Sequence, residues 1–258
     1  MLAALSLATG AALATVIGSI LGVLVKNPGP RFMSFTLGFS AGVMILVSFS
    51  ELLPQAISTE GIGFLNAHLA FFTGMVLYSL IDFVIPHEYI GQRDYPAAAS
   101  ELQENPSYPA LERTGLVVAL GIGIHNLPEG MATFVGAMED IRLGMAIALA
   151  IAIHNIPEGV AISAPIYAAT GNRRKAFLWS FLSGISEVGG ALLAAAVLMP
   201  ILTELVLGYV LAIVGGIMVA ISLDELIPAA QEFAHEHAPM MGTLVGMGVM
   251  ALSLWLLK

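Results

Sequence analysis

The sequence predicts an all-α integral membrane protein of eight transmembrane helices, with inverted-repeat symmetry and both termini outside. Three observations carry this reading. The chain is 58% hydrophobic and only 10% charged, where an average soluble domain carries about 25% charged residues. Its apolar residues gather into eight segments, each close to the roughly 20 residues a helix needs to cross a bilayer. Its cations also segregate: in an eight-span arrangement Lys26, Arg31, Arg93, Arg113, Arg173, Arg174 and Lys175 share one side, and Arg142 and Lys258 take the other. An excess of Lys and Arg marks the cytoplasmic side, and removing any one span would scatter these charges.

The first segment, Leu2–Val25, is uncharged. It lacks the positive n-region of a secretory signal and is longer than the usual apolar core of such a signal, about 7–15 residues, so it reads as a retained first span. The others are Phe32–Ile57, Phe64–Ile85, Gly115–Ala137, Leu143–Ala168, Ala176–Met199, Leu205–Ala230 and Pro239–Leu257. Turn residues separate several of them: Asn27-Pro28-Gly29-Pro30, Glu60-Gly61-Ile62-Gly63 and Gly171-Asn172. A polar stretch with Pro96, Pro106 and Pro109, residues 87–114, joins spans three and four and reads as a cytoplasmic surface loop. The whole chain, 1–258, otherwise reads as one polytopic membrane domain. No cysteine is present, which removes disulfides and thiolate ligands from consideration. The net charge of −9, with no basic stripe, speaks against a nucleic-acid partner.

The most informative feature is a repeated phrase. His125-Asn126-Leu127-Pro128-Glu129-Gly130 recurs as His154-Asn155-Ile156-Pro157-Glu158-Gly159, each copy inside an apolar span. Ionisable groups are costly within a bilayer and mark functional sites by default. About 18 Å of helical rise separates Arg113 from His125, and about the same separates Arg142 from His154 on the descending span. Both motifs therefore reach the middle of a hydrocarbon core about 30 Å thick. Glu187 of span six lies at the same depth, measured from Lys175. His and Glu in each motif share a helix face, one turn apart, and the asparagines point about 100° away, toward a second, adjacent position. Pro128 and Pro157 free the carbonyls of Ile124 and Ile153, and the proline–glycine pairs are expected to kink and open the helices there. Imidazole, carboxylate and amide oxygen suit zinc and other divalent first-row ions. Three carboxylates can offset much of the charge of two such ions. A kinked helix with an interhelical hydrogen-bonded pair, or a proton relay, would use the same residue types; the duplication and Glu187 favour a cation site.

A second echo links Ser48-Phe49-Ser50-Glu51-Leu52-Leu53-Pro54 with Ser222-Leu223-Asp224-Glu225-Leu226-Ile227-Pro228. The spans that carry it run in opposite directions, as in the inverted repeats of secondary transporters with midplane sites. Glu51 would line an outer approach, and Asp224 with Glu225 an inner one; interfacial helix ends touching water would look the same. Gly18-x-x-x-Gly22, Gly38-x-x-x-Gly42 and Gly242-x-x-x-Gly246 are helix-packing devices. Met44 could act as a transient soft ligand. His235-Glu236-His237 reads as a solvated loop, His68 and His87 as peripheral, and Asp82 receives no role.

At these motifs the chain resembles the ZIP (Zrt/Irt-like) family of divalent metal transporters, close to its bacterial zinc-uptake branch. The resemblance spans the whole chain. It implies a binuclear site, with His125, Glu129, His154 and Glu158 forming one position. Asn126, Asn155 and Glu187 form the other, and Glu129 and Glu158 are shared. It also implies homodimers, and movement of spans one, four, five and six as a unit. Many relatives carry a histidine-rich cytoplasmic loop; residues 87–114 hold one histidine, His87.

The expected function is transport, not catalysis: import of Zn2+, with iron, manganese, cobalt or cadmium as further substrates, across the plasma membrane into the cytoplasm. Metal binding to carboxylates and imidazoles in a low-dielectric interior should displace protons, so affinity should weaken in acid. The alternatives are an intramembrane metal-dependent hydrolase or oxidase and a passive cation channel. The sequence lacks the His-Glu-x-x-His that a zinc hydrolase of the common type would carry.

Overall fold

The computed structural model describes residues 1–24, 29–84, 108–197, 201, 203–233 and 237–257, and among them the regular structure is entirely helical. In chain order the helices are α1 (Leu2–Leu24), α2 (Pro30–Val47), α3 (Leu53–Ser58), α4 (Gly63–Val84), α5 (Tyr108–Glu139), α6 (Ile141–Thr170), α7 (Arg173–Val197), α8 (Glu204–Ile221), α9 (Ile227–Phe233) and α10 (Ala238–Leu257). Seven units are long and apolar enough to cross a membrane: α1, α2 with α3, α4, α6, α7, α8 with α9, and α10. The eighth expected span, Gly115–Ala137, falls inside α5. That helix starts at Tyr108, so residues 108–114 extend it rather than belonging to a loop, and Pro109 sits in its first turn, where its missing N–H costs nothing. Most of the expected loop, with His87, lies outside the described residues, as does His235.

Local chemistry sets the turns that fix the register of the two motif helices. A single non-helical residue, Asp140, separates α5 from α6. Its backbone is extended, and its carboxylate accepts the amides of Arg142 (2.7 Å) and Leu143 (3.1 Å), satisfying two of the amides a helix start leaves open. At the other end of α6, Gly171 takes a left-handed conformation, φ +63°, and closes the helix. The hairpin is thus tight, and the two motif copies stand side by side on antiparallel helices.

At the two motif prolines no π-helical widening is present. α5 and α6 run without interruption through Pro128 and Pro157. Widening occurs instead in the second echo, where α2 passes into α3 through a π-helical stretch, Ser48–Leu52, and α8 into α9 through another, Ser222–Leu226. Pro54 and Pro228 follow these stretches. A proline ring collides with the carbonyl one turn back, and a wider turn relieves that clash. Ser48 and Ser222 cap the same place in each, donating to the carbonyls of Met44 and Met218, both at 2.8 Å.

Packing divides the helices into two groups. α1 lies along α6 and α5 along α7; α2 lies along α10 and α4 along α8. Within each group the contacts repeat in matched register. A Cβ on Gly18 would overlap the carbonyl oxygen of Ile156, and one on Gly190 would overlap that of Leu127. The motif glycines behave alike: Gly159 abuts the carbonyl of Thr15, and Gly130 that of Glu187. They serve close backbone approach. In the other group Gly38 and Gly42 face Pro239 and Thr243, while Gly242 and Gly246 face Phe35 and Phe39, as the spacing predicted.

Candidate metal centre

α5, α6 and α7 each bring part of the repeated motif or its companion glutamate to one solvent-free place. Asn126, Glu129, His154, Asn155, Glu158 and Glu187 are all fully buried. The ligand atoms of Glu129, His154 and Glu158 lie within 4.8 Å of one another, the spread expected of groups able to close on a single ion. The side chain of His125 lies outside the described residues.

His154 is the best-defined member. Its Nδ1 is 3.1 Å from the carbonyl oxygen of Ala150, one turn back, and its Nε2 is 2.9 Å from Oε1 of Glu129. A carbonyl only accepts, so Nδ1 carries a proton. Nε2 and the carboxylate can then be bonded only if a second proton lies between them. This arrangement orients the ring for metal: Nδ1–H is anchored on backbone, as in many histidine sites, and Nε2 faces the ligand position. An arriving cation would take the place of that shared proton. Ser40, from α2, donates to the main-chain carbonyl of His154 at 3.3 Å, tying the second helix group to the site.

The second set is linked by amides. Nδ2 of Asn155 donates to Oε2 of Glu187 at 2.8 Å and to the carbonyl of Ala11 on α1 at 3.2 Å. Nδ2 of Asn126 donates to the carbonyl of Ser183 on α7 at 3.1 Å. With their nitrogens so engaged, both asparagines turn their Oδ1 atoms elsewhere. These oxygens, with Oε2 of Glu129 and Oε1 of Glu187, are buried and have no hydrogen-bond partner among the described residues. Glu187 is within electrostatic reach of Glu129 and Glu158. Removing a carboxylate from water costs several kcal/mol even after relaxation, so three such groups together require protons or cations. A set of one imidazole, carboxylates and amide oxygens suits a divalent first-row cation.

Several contributors carried no motif signal. The carbonyls of Ala11, Ala150 and Ser183 are main-chain atoms, invisible in residue identity. Ser40, and Thr15 and Ser19 on the uncharged α1, could have been noticed as hydroxyls buried within spans. Of the second echo, Glu225 accepts a hydrogen bond from Tyr78 at 2.5 Å. Elsewhere, His68 is half-buried, with Nδ1 2.8 Å from the carbonyl of Phe64.

Known proteins resemble this chain over nearly its whole length. Residues 86–254 match the family model of the ZIP zinc transporters. The chain is 48% identical to the zinc transporter ZupT of Nitratidesulfovibrio vulgaris, over 99% of this chain and 97% of that protein. It is 42% identical to the ZupT of Salmonella heidelberg, over 100% and 98%, and 42% identical to that of Enterobacter sp. strain 638, over 98% and 96%.

Proposed function

The chain belongs to the ZIP family of zinc transporters, and from that premise we propose that it imports zinc across the plasma membrane into the cytoplasm through the buried cluster of α5, α6 and α7. The relatives are named for transport rather than catalysis, so the hydrolase or oxidase reading falls away. The observation that carries the proposal is the convergence of Glu129, His154 and Glu158 ligand atoms within 4.8 Å in a solvent-free interior.

In this reading α5 is the eighth span and both termini face outward. The matched contacts of the two halves follow from inverted repeats around a midplane site. His125, Glu129, His154 and Glu158 hold one ion; Asn126, Asn155 and Glu187 hold a second, with Glu129 and Glu158 bridging. Iron, manganese, cobalt and cadmium are further substrates. The protein works as a homodimer, and α1, α5, α6 and α7 move as one body against α2, α4, α8 and α10. The Ser40 contact to the His154 carbonyl would be one that such a motion exchanges.

The test is zinc uptake into proteoliposomes. The native chain should accumulate zinc with saturation at low metal concentration, and His125→Ala and Glu158→Ala should abolish uptake. Unchanged uptake in both variants would remove this site from the pathway, and flux that fails to saturate would favour a channel.

A further inference from the structure

Thr15 lies on α1, a helix with no charged residue, yet its hydroxyl is fully buried and has no hydrogen-bond partner among the described residues. Buried helical hydroxyls ordinarily bond the carbonyl one turn back, as Ser48, Ser163 and Ser222 do here at 2.8, 2.6 and 2.8 Å. Thr15, like Ser19, Thr133 and Ser183, makes no such bond, and the carbonyl one turn back from it, Ala11, instead accepts the side-chain amide of Asn155. Leaving a hydroxyl unsatisfied in an apolar interior is costly. Among the described residues this hydroxyl is left open to a further partner.

The matched packing identifies the place. Asn155 donates to Ala11 on α1 as Asn126 donates to Ser183 on α7. Gly159 abuts the carbonyl of Thr15 as Gly130 abuts that of Glu187, and Gly18 meets Ile156 as Gly190 meets Leu127. Position for position, α1 along α6 repeats α7 along α5, and in this correspondence Thr15 is the counterpart of Glu187. The two helices also touch here, with Thr15 Oγ1 3.3 Å from where a Cβ on Gly184 would sit. One half of the site presents a carboxylate at this position and the other a hydroxyl.

We propose that Thr15 is an additional ion-binding residue of the midplane site, its hydroxyl giving a neutral oxygen to the cation, directly or through a water the cation carries, where α7 gives the Glu187 carboxylate. This rests on the transport-site reading above. Hard neutral oxygen matters more to Mn2+, which prefers all-oxygen surroundings, than to Zn2+, which also takes strong imidazole bonds. The hydroxyl thus widens the range of ions the site accepts.

The test is calorimetric titration of the purified full chain with Mn2+ and with Zn2+, comparing native protein, Thr15→Val and Thr15→Ser, with melting temperatures of the metal-free forms. Thr15→Val should weaken Mn2+ binding about tenfold, the scale of one lost polar contact, and Zn2+ binding less. Thr15→Ser should match native, and metal-free Thr15→Val should melt no lower than native, because it loses an unsatisfied group. Mn2+ affinity of Thr15→Val within twofold of native would make Thr15 a packing residue and overturn the proposal. So would equal weakening in Thr15→Ser, which removes only the methyl. Should Thr15→Val fail to fold, Thr15→Ser against Thr15→Ala, which differ by the hydroxyl alone, decides on the same criterion. Absence of metal binding by the native chain would refute the transport site itself, a result distinct from either.

Discussion

Glu129→Gln tests the logic of the site most sharply, because it changes one charge and one proton with almost no change in volume. In the native chain Glu129 Oε1 lies 2.9 Å from Nε2 of His154, whose Nδ1 is committed to Ala150. A divalent ion binding there gains the carboxylate charge and displaces the proton between the two groups. A unit charge pair at about 4 Å is worth about 4 kcal/mol at an effective dielectric of 20, the value that best describes protein sites. Part of that gain is cancelled because the ion must expel the proton and shed water. A net loss of about 2–4 kcal/mol corresponds to a 30- to 1000-fold weaker zinc Kd. The amide of glutamine can satisfy a neutral His154 by donating an N–H to Nε2, so the variant has no shared proton to release. Zinc titrations at pH 6.5 in buffers of different ionisation enthalpy report both quantities. The native chain should release about one more proton per zinc than Glu129→Gln, and its affinity should fall as the solution is acidified, since protons compete for the same lone pairs. A Glu129→Gln Kd within threefold of native, or equal proton release by the two chains, would refute the argument.

The remaining predictions concern the frame that holds these groups. Gly159→Ala pushes a methyl into the carbonyl of Thr15, and overpacking of this kind costs about 1–3 kcal/mol. Its melting temperature in detergent should fall, whereas Gly10→Ala, where a Cβ meets nothing within 4 Å, should leave it unchanged or raise it. Asp140→Ala removes the cap of α6 and should cost about 0.5–2 kcal/mol, seen as a lower denaturation midpoint; an unchanged midpoint would mean the carboxylate does not hold the hairpin. Asn155→Ala frees both Glu187 Oε2 and the Ala11 carbonyl. Loss of a group that orients a metal ligand typically costs 10- to 100-fold in affinity, so zinc titration should show a drop on that scale, while a native Kd would reduce Asn155 to packing.

Much was legible in the residue order alone. Long apolar runs must become helices in a bilayer because no other open segment can satisfy its own backbone there. Seven of the eight expected spans therefore fall within a few residues of helices long and apolar enough to cross a membrane, as Leu143–Ala168 against Ile141–Thr170 shows. The doubled His-Asn-x-Pro-Glu-Gly phrase marked Glu129, His154 and Glu158 because a polar group at that depth has few uses other than binding. The motif glycines accept a neighbouring backbone, and π-helical widening occurs before Pro54 and Pro228. What residue order determined was therefore which polar side chains lie within apolar helices and which helices carry them. Only the tertiary structure decided that Glu129, His154 and Glu158 face one point, that the Ala11, Ala150 and Ser183 carbonyls steer the Asn and His side chains, and that Thr15 holds on α1 the register position that Glu187 holds on α7. Those outcomes depend on the rotation and lateral approach of helices about one another. Such approach is set by backbone atoms that every residue type shares, so no single stretch of sequence records it.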